Sequence, residues 1–239
     1  MCDVCGDARH ETKVSRRDFL RTGTFAALAP LTVGAAFAAD PPSPGAPPPN
    51  AIAPAEALKR LMDGNARYAA NAPNERDFSS GRAARAQVQH PIAAILSCAD
   101  SRVAPELVFD QGPGELFVVR VAGNIVTPDL LASLEYGVQF LGAPLVMVLG
   151  HSGCGAVDAA IKVLKTKAVL PGKLPGLIRA IKPAVIAAEK TKTGDLLDNA
   201  IAENVRRQVI RLKNSPPIIK KVLVVGAVYD LRTGKVVPI

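Results

Sequence analysis

Tryptophan is absent from the 239 residues, and aromatic side chains make up only 4% of the chain. Four cysteines are too few for a small secreted scaffold that depends on disulfide bonds. No apolar stretch continues for about 20 residues without proline or glycine, which excludes a membrane protein with several spanning helices. Hydrophobic residues nevertheless reach 49% and charged residues 21%, which excludes a disordered chain. A soluble globular domain remains, and the length suffices for one sizeable core.

The first 39 residues are typical of an export signal. Residues 15–20 read S-R-R-D-F-L, a paired arginine followed by apolar residues, which resembles a twin-arginine signal. A weakly apolar stretch then ends in A-F-A at 36–38, the small-x-small pattern of a signal peptidase site. Pro30 and Gly34 interrupt this stretch, so a stable membrane anchor is not expected. We predict a twin-arginine signal peptide over 1–39 and a periplasmic or extracellular location.

A proline-rich linker is predicted over residues 40–54, which contain seven prolines. Such a segment has few backbone donors and favours an extended, solvated conformation. The folded domain is therefore predicted over 55–239.

Charge is distributed unevenly over the predicted mature chain. Residues 40–154 carry 8 basic and 11 acidic side chains (net −3), whereas residues 155–239 carry 16 and 6 (net +10). A basic half raises the question of nucleic acid. Hardly any aromatic residue lies nearby to stack on bases, so we interpret the charges as solvated helix faces and expect no nucleic acid partner.

Apolar and amphipathic segments alternate along the predicted domain. The short apolar runs are typical of strands buried on both faces, and the segments with helical spacing predict helices that cover them. The predicted strands are residues 92–98, 116–121, 145–150 and 221–228, with an edge strand at 235–237. The predicted helices are residues 55–71, 128–141, 156–165, 173–190 and 196–213. This alternation predicts an α/β fold: a single domain with a mainly parallel β-sheet flanked by helices.

Two polar clusters follow predicted strands, where chemistry gathers in such sheets. Cys98, Asp100 and Arg102 follow the first strand, and His151 and Cys154 follow the third. Thiolate and imidazole are the ligands that zinc prefers, and three of them leave one coordination position open, as in a catalytic site. An arginine beside a carboxylate keeps the carboxylate ionised as a hydrogen-bond acceptor.

The residues alone leave other interpretations open. Cys98 and Cys154 could form a disulfide in an oxidising compartment. Asp100 could be a permanent fourth ligand of a purely structural zinc ion, or could form only a strand-end salt bridge with Arg102.

These motifs resemble the β-class carbonic anhydrases. The resemblance rests on C-x-D-S-R at 98–102 and H-x-x-C at 151–154, and continues over about residues 55–239. Further matching segments are residues 113–120, 122–124, 133–136 and 226–234. The resemblance implies reversible hydration of carbon dioxide to bicarbonate and a proton, by attack of a zinc-bound hydroxide.

The resemblance also implies roles for single residues. One zinc ion per chain is expected on Cys98, His151 and Cys154, with Asp100 and Arg102 catalytic.

Substrate-binding residues are implied as well: Gln89, Phe117 and Tyr136. Tyr136 is expected to act in the partner's site, because sites of this family form at a dimer interface. The expected assembly is a homodimer or an assembly of dimers, and the expected partner is a small-molecule substrate.

One departure concerns a second, inhibitory bicarbonate site that some family members form with tryptophan, arginine and tyrosine. Arg120 and Tyr229 match two of these positions, but Ile95 replaces the tryptophan. With Gln89 present and the tryptophan absent, we predict an open site in which Asp100 does not bind the metal.

Two alternatives remain for the function. A hydrolase of carbonyl sulfide or carbon disulfide on the same fold is the nearest one, since pocket shape decides between these linear substrates. A non-enzymatic zinc-binding or redox protein is the alternative from another class.

Overall fold

The computed structural model describes residues 47–215 and 217–239. The predicted signal peptide and residues 40–46 of the predicted linker therefore lie outside the described residues. The helices in the described ranges are α1 (Pro54–Ala69), α2 (Arg82–Gln87), α3 (Pro105–Val108), α4 (Pro128–Gln139), α5 (Gly155–Thr166), α6 (Leu174–Ala188) and α7 (Leu196–Lys213). The strands are β1 (Ala93–Ser97), β2 (Leu116–Arg120), β3 (Leu145–His151), β4 (Leu223–Tyr229) and β5 (Val236–Pro238). Short 3-10 helices occupy Ala122–Asn124 and Ile219–Lys221.

Within the described ranges, the five strands form one sheet in the order β2-β1-β3-β4-β5. The first four strands of this order run parallel, and β5 pairs antiparallel with β4 at the edge. Helical connections cover the sheet, as parallel strands require. The predicted α/β fold class, a mainly parallel sheet flanked by helices, is confirmed.

Alternation along the central strands sorts the core onto two faces. On β1, Ala93 and Ile95 pack in a cluster with residues of α1 and α3, whereas Ala94 and Leu96 pack with residues of α4 and α7. All five residues of β1 are buried, because helices cover both faces. A third cluster, between α5, α6 and α7, contains both Cys98 and Cys154. The metal motifs therefore lie in a packed region next to the sheet.

Several details differ from the predicted elements. The helices α2 and α3 were not predicted, because six and four residues are too short to show a helical period. The helix predicted over 173–190 is α6, which continues through Pro183 and ends at Ala188.

The described end of the proline-rich segment is part of the fold. Asn50 is only 2% exposed, and the backbone N–H of Ala51 donates to the carbonyl oxygen of Pro48. Among the described residues, no helix combines the length and hydrophobicity needed to span a bilayer.

Candidate metal centre

Three potential ligands meet beyond the ends of two neighbouring strands. Cys98 directly follows β1, His151 is the last residue of β3, and Cys154 directly precedes α5. Because β1 and β3 are adjacent and parallel, their carboxyl ends lie side by side. One donor atom of each of the three residues lies within 4.8 Å of the others. The predicted ligand set is therefore assembled within a single chain.

Burial and hydrogen bonding leave the donor atoms suited to a metal ion. Cys98, His151 and Cys154 are all buried, and His151 is 0% exposed. The His151 Nδ1 contacts the carbonyl oxygen of Ser152 at 3.0 Å, whereas Nε2 is buried without a hydrogen-bond partner. Such a contact through one ring nitrogen orients an imidazole whose other nitrogen binds a metal. Both thiols are free, so the disulfide alternative is not what the structure contains. The residues present fit a bound cation.

Proton sharing between the two thiols favours at least one thiolate. The neighbouring Cys154 thiol lowers the pKa of Cys98, whereas the neighbouring Cys98 sulfur and burial raise the pKa of Cys154. Burial opposes protonation of His151, but the neighbouring Cys98 thiolate raises the pKa of His151. The cluster thus concentrates negative charge on sulfur, which attracts a cation.

A glycine turn supports the Cys98 sulfur. The backbone N–H of Gly123 donates to Cys98 Sγ at 3.3 Å. Gly123 has a φ of 70°, and a Cβ there would lie 2.7 Å from Cδ1 of Ile181. Asn204 in α7 holds this turn through a 2.8 Å hydrogen bond from its Nδ2 to the carbonyl oxygen of Gly123. Only glycine fits this position without displacing its neighbours.

Asp100 is held by a bidentate ion pair. Arg102 donates from Nε to Oδ1 at 2.9 Å and from Nη2 to Oδ2 at 2.7 Å, and its backbone N–H also reaches Oδ1. The Arg102 hydrogen bond holds the pKa of Asp100 well below its usual range. Asp100 Oδ2 lies 3.8 Å from Nε2 of His151. An ionised acceptor therefore stands next to the three converging ligands.

Arg120 fixes the loop that carries Cys98 and Asp100. Its Nε donates to the carbonyl oxygen of Cys98 at 3.0 Å, and its Nη2 donates to that of Asp100 at 2.7 Å. Neither this role nor that of Gly123 was predicted, although both residues belong to segments that carry the family resemblance. The residue types gave no signal for these two roles, because each contact has a backbone atom as one partner and joins residues that are distant in sequence.

The predicted substrate residues lie elsewhere on the chain. Gln89 and Tyr136 line a cleft of about 880 Å³, and the Phe117 ring centroid lies 6.1 Å from that of Tyr136. In the part of the chain that the structure describes, this cleft is not lined by Cys98 or His151. One chain thus brings the metal ligands together with Asp100 and Arg102, and brings Gln89 together with Tyr136 and Phe117, as two separate groups.

Comparisons with known proteins give the family. The sequence profile described as "Carbonic anhydrase" matches residues 93–236. The chain is 37% identical over 190 residues to a carbonic anhydrase of Mycolicibacterium smegmatis, which covers 77% of this chain and 92% of that relative. A Coccomyxa β-carbonic anhydrase in complex with acetazolamide superposes with a TM-score of 0.59 at 29% identity, covering 76% of this chain and 86% of that chain. This chain belongs to the β-class carbonic anhydrase family.

A second β-carbonic anhydrase relative supports the same assignment. Carbonic anhydrase 2 of Mycobacterium tuberculosis is 35% identical over 193 residues, covering 77% of this chain and 92% of that protein. The alignments with these two relatives thus cover 92% of each of them.

The residues at the three inhibitory bicarbonate positions have other partners in this β-carbonic anhydrase. Ile95 is fully buried in the core of β1. Arg120 donates to backbone carbonyls, and Tyr229 is 3% exposed with its hydroxyl 3.3 Å from that of Tyr68. A second anion site built on these positions would need different contacts from those present.

Proposed function

We propose that this chain is a zinc enzyme that catalyses the reversible hydration of carbon dioxide to bicarbonate and a proton. The observation that carries the proposal is the convergence of buried Cys98, His151 and Cys154 in a β-carbonic anhydrase domain. Two thiolates and one imidazole form a ligand set typical of zinc, and three protein ligands leave a fourth position open. When bound, zinc supplies a Lewis acid that lowers the pKa of a water molecule from 15.7 towards about 7.

Asp100 is proposed to accept a hydrogen bond from a group bound beside it at the metal position. Both of its oxygens face Arg102 donors, so the carboxylate stays ionised and can only accept hydrogen bonds. An ionised acceptor would favour a metal ligand that carries a proton, and would hold that proton on the side of the Asp100 carboxylate. Arg120 keeps the acceptor in place by binding the carbonyl oxygen of Asp100.

We also propose the open form of the site. Asp100 binds Arg102 on both oxygens and is not one of the three converging ligands. A bidentate arginine pair competes directly with metal coordination by the same oxygens. The carboxylate is therefore expected to stay off the zinc ion.

A homodimer, or an assembly of dimers, is proposed to complete the site. Gln89, Phe117 and Tyr136 form a group apart from the metal ligands of their own chain. Their two aromatic rings and one amide suit a small, linear, weakly polar substrate such as carbon dioxide. Delivered to the site of a second copy, they would supply an apolar wall beside its metal ligands.

Stopped-flow measurement of carbon dioxide hydration tests the proposal. The chain from Asp40, with its zinc content measured, should hydrate carbon dioxide rapidly at about pH 8.5, above the titration expected of water on zinc. A chelator should remove both zinc and activity, and should expose two thiols per chain.

The control is Cys154→Ser, which removes one ligand and should lose both zinc and activity. Zinc bound at one per chain without hydration would contradict the proposed reaction and lead to assays with carbonyl sulfide and carbon disulfide. Absence of zinc, with no titratable thiols before or after chelation, would instead favour the disulfide protein.

We further propose export by the twin-arginine route to the periplasm or the exterior. The support is the paired arginine at 16–17 and the small-residue cleavage pattern at 36–38. Replacing Arg16 and Arg17 by lysine should retain the precursor inside the cell, as followed by fractionation. Arg21→Lys, outside the motif, is the matched control and should leave export unchanged; equal export of both variants would refute the route.

A further inference from the structure

A buried amide joins the end of the proline-rich segment to the cleft that holds Gln89 and Tyr136. Asn50 is 2% exposed. It nevertheless belongs to residues 40–54, of which eight of fifteen are proline or glycine, a composition that predicts a solvated segment. Its Nδ2 donates to the carbonyl oxygen of Pro91 at 3.2 Å and to that of Leu141 at 2.7 Å. Both amide protons are therefore used, which a carboxamide nitrogen can do only with two acceptors correctly placed.

The two acceptors belong to the two segments that carry Gln89 and Tyr136, which we call the two walls of the cleft. Pro91 ends the loop that carries Gln89, and Leu141 lies two residues beyond α4, the helix that carries Tyr136. Asn50 itself lines the same cleft. In the part of the chain that the structure describes, no hydrogen bond joins residues 88–91 directly to residues 136–142. The Asn50 amide is thus the polar link between the two walls.

We infer that Asn50 is a positioning residue for substrate: its amide sets the spacing between the Gln89 loop and the α4 end that presents Tyr136. The inference rests on the proposed function, in which both residues contact carbon dioxide. Neither group reaches the substrate in the correct place unless the walls keep their separation, and small misplacements of binding groups have large effects on rate. The segment that leads out of the predicted linker therefore contributes to the site.

Asn50→Asp tests the inference, because it keeps the shape and replaces the amide donors by acceptors that face two carbonyl oxygens. We expect kcat/KM to fall roughly 10- to 100-fold. Zinc content and the pH at half-maximal activity should not change, because the metal ligands and Asp100 are not displaced.

Asn65→Asp is the matched control. Asn65 is 4% exposed and also donates from Nδ2 to two backbone carbonyls, those of Val108 and Gly234, but it does not line the cleft. Both variants lose two buried hydrogen bonds, so both should lower the melting temperature. Only the Asn50 variant should lower kcat/KM; equal effects on kcat/KM would mean a structural role alone and would overturn the inference.

Hydrogen exchange gives a readout that does not depend on activity. Peptides that cover 88–91 and 136–142 should exchange faster in Asn50→Asp than in the wild-type chain, and should be unchanged in Asn65→Asp. Unchanged exchange in both peptides would overturn the inference even if the wild-type chain hydrated no carbon dioxide, so its failure is separable from that of the proposed function. If the Asp variants do not fold, Asn50→Ser and Asn65→Ser, which keep one donor, replace them in the same comparison.

Discussion

Asp100 shows how a single residue's surroundings set its chemistry. Three hydrogen bonds from Arg102, two from the guanidinium and one from the backbone, hold the carboxylate in its ionised form. The pKa of Asp100 is correspondingly far below its ordinary value, so the carboxylate is ionised and acts as an acceptor at neutral pH. In the proposed reaction, Asp100 would orient a proton, and as a carboxylate it is unsuited to donating one.

Asp100→Asn should therefore lower turnover without removing the metal. The amide loses the ion pair with Arg102 and introduces a donor where only an acceptor fits, so we expect kcat to fall by about 100-fold. Metal analysis should still find one zinc ion per chain, because Asp100 is not one of the converging ligands. Near-normal kcat in the zinc-loaded variant would refute the assigned role.

Among the structural elements, the 3-10 helix Ala122–Asn124 connects the metal site to the helices behind it. Its Gly123 donates to Cys98 on one side and accepts from Asn204 on the other. A shift of α7 would therefore change the position of the Cys98 sulfur through this turn.

Gly123→Ala should weaken both folding and metal binding. A φ of 70° strains an L-residue, and the added Cβ would meet Ile181 at 2.7 Å; together we expect a loss of about 2 kcal/mol in the free energy of unfolding. Displacement of the N–H from Cys98 should weaken zinc binding by roughly tenfold. Denaturant unfolding and competition with a chelator measure the two effects.

Gly176→Ala in α6 is the control, because a Cβ there meets no atom within 4 Å. It should leave both quantities unchanged or slightly improve stability, since alanine favours a helix. Equal losses in the two variants would show that neither the backbone angle nor the contact at Gly123 matters.

Acid sensitivity is expected where α1 meets the end of α3. The Asp110 side chain is 4% exposed and accepts from Arg67 Nε at 2.5 Å and from the backbone of Asn74 at 3.2 Å. Burial alone would raise the pKa of Asp110, but these hydrogen bonds outweigh it and lower the pKa. Because the folded pKa lies below the unfolded one, this stabilisation is present above about pH 4 and is lost as the pH falls through the folded value.

Asp110→Asn should destabilise the chain by about 2 kcal/mol at pH 7, and the difference from wild type should shrink below about pH 4. Urea unfolding at several pH values measures it. Asp63→Asn is the matched control: Asp63 pairs with Lys59 on the surface, with both side chains at least half exposed, and should change little at any pH. A difference at Asp110 that did not depend on pH would show that its charge contributes nothing.

At the scale of the whole molecule, the candidate metal ligands and the proposed substrate residues of one chain form separate groups, so the proposed dimer predicts complementation between subunits. A Cys154→Ser chain lacks a ligand, and a chain with Gln89→Ala and Tyr136→Ala lacks the wall. Co-expressed and purified through two different tags, the hybrid has one intact site of two, so we expect about half of the wild-type activity.

The control for complementation is a hybrid of Cys98→Ser and Cys154→Ser, in which each chain lacks one of its own ligands and no site is intact. It should stay inactive. A first hybrid that is no more active than its two parents would show that the site does not cross between subunits.

The sequence alone was enough to predict the sheet and the three side chains that converge beside it. Strand β1 could be predicted because helices bury both of its faces. Its sequence is therefore a continuous apolar run, whereas a strand with one exposed face alternates between apolar and polar residues. Cys98 and Cys154 were found because thiols are rare in this chain and follow strands. The contacts of Asn50 and Gly123 could not be predicted, because each has a backbone atom as one partner and joins residues 25 to 91 positions apart, and a backbone atom does not depend on residue type.

The pairing of β1 with β3 also determines the stage of folding at which a metal ion can be bound. Cys98 and His151 come together only after two strands far apart in sequence are neighbours in the sheet. The nascent chain consequently offers isolated, weakly binding side chains, and strong coordination begins only when the sheet is assembled. The metal ion that is bound is therefore determined by the ions available in the compartment where the chain folds. A chain that folds before it is transported would carry an ion bound in its compartment of synthesis.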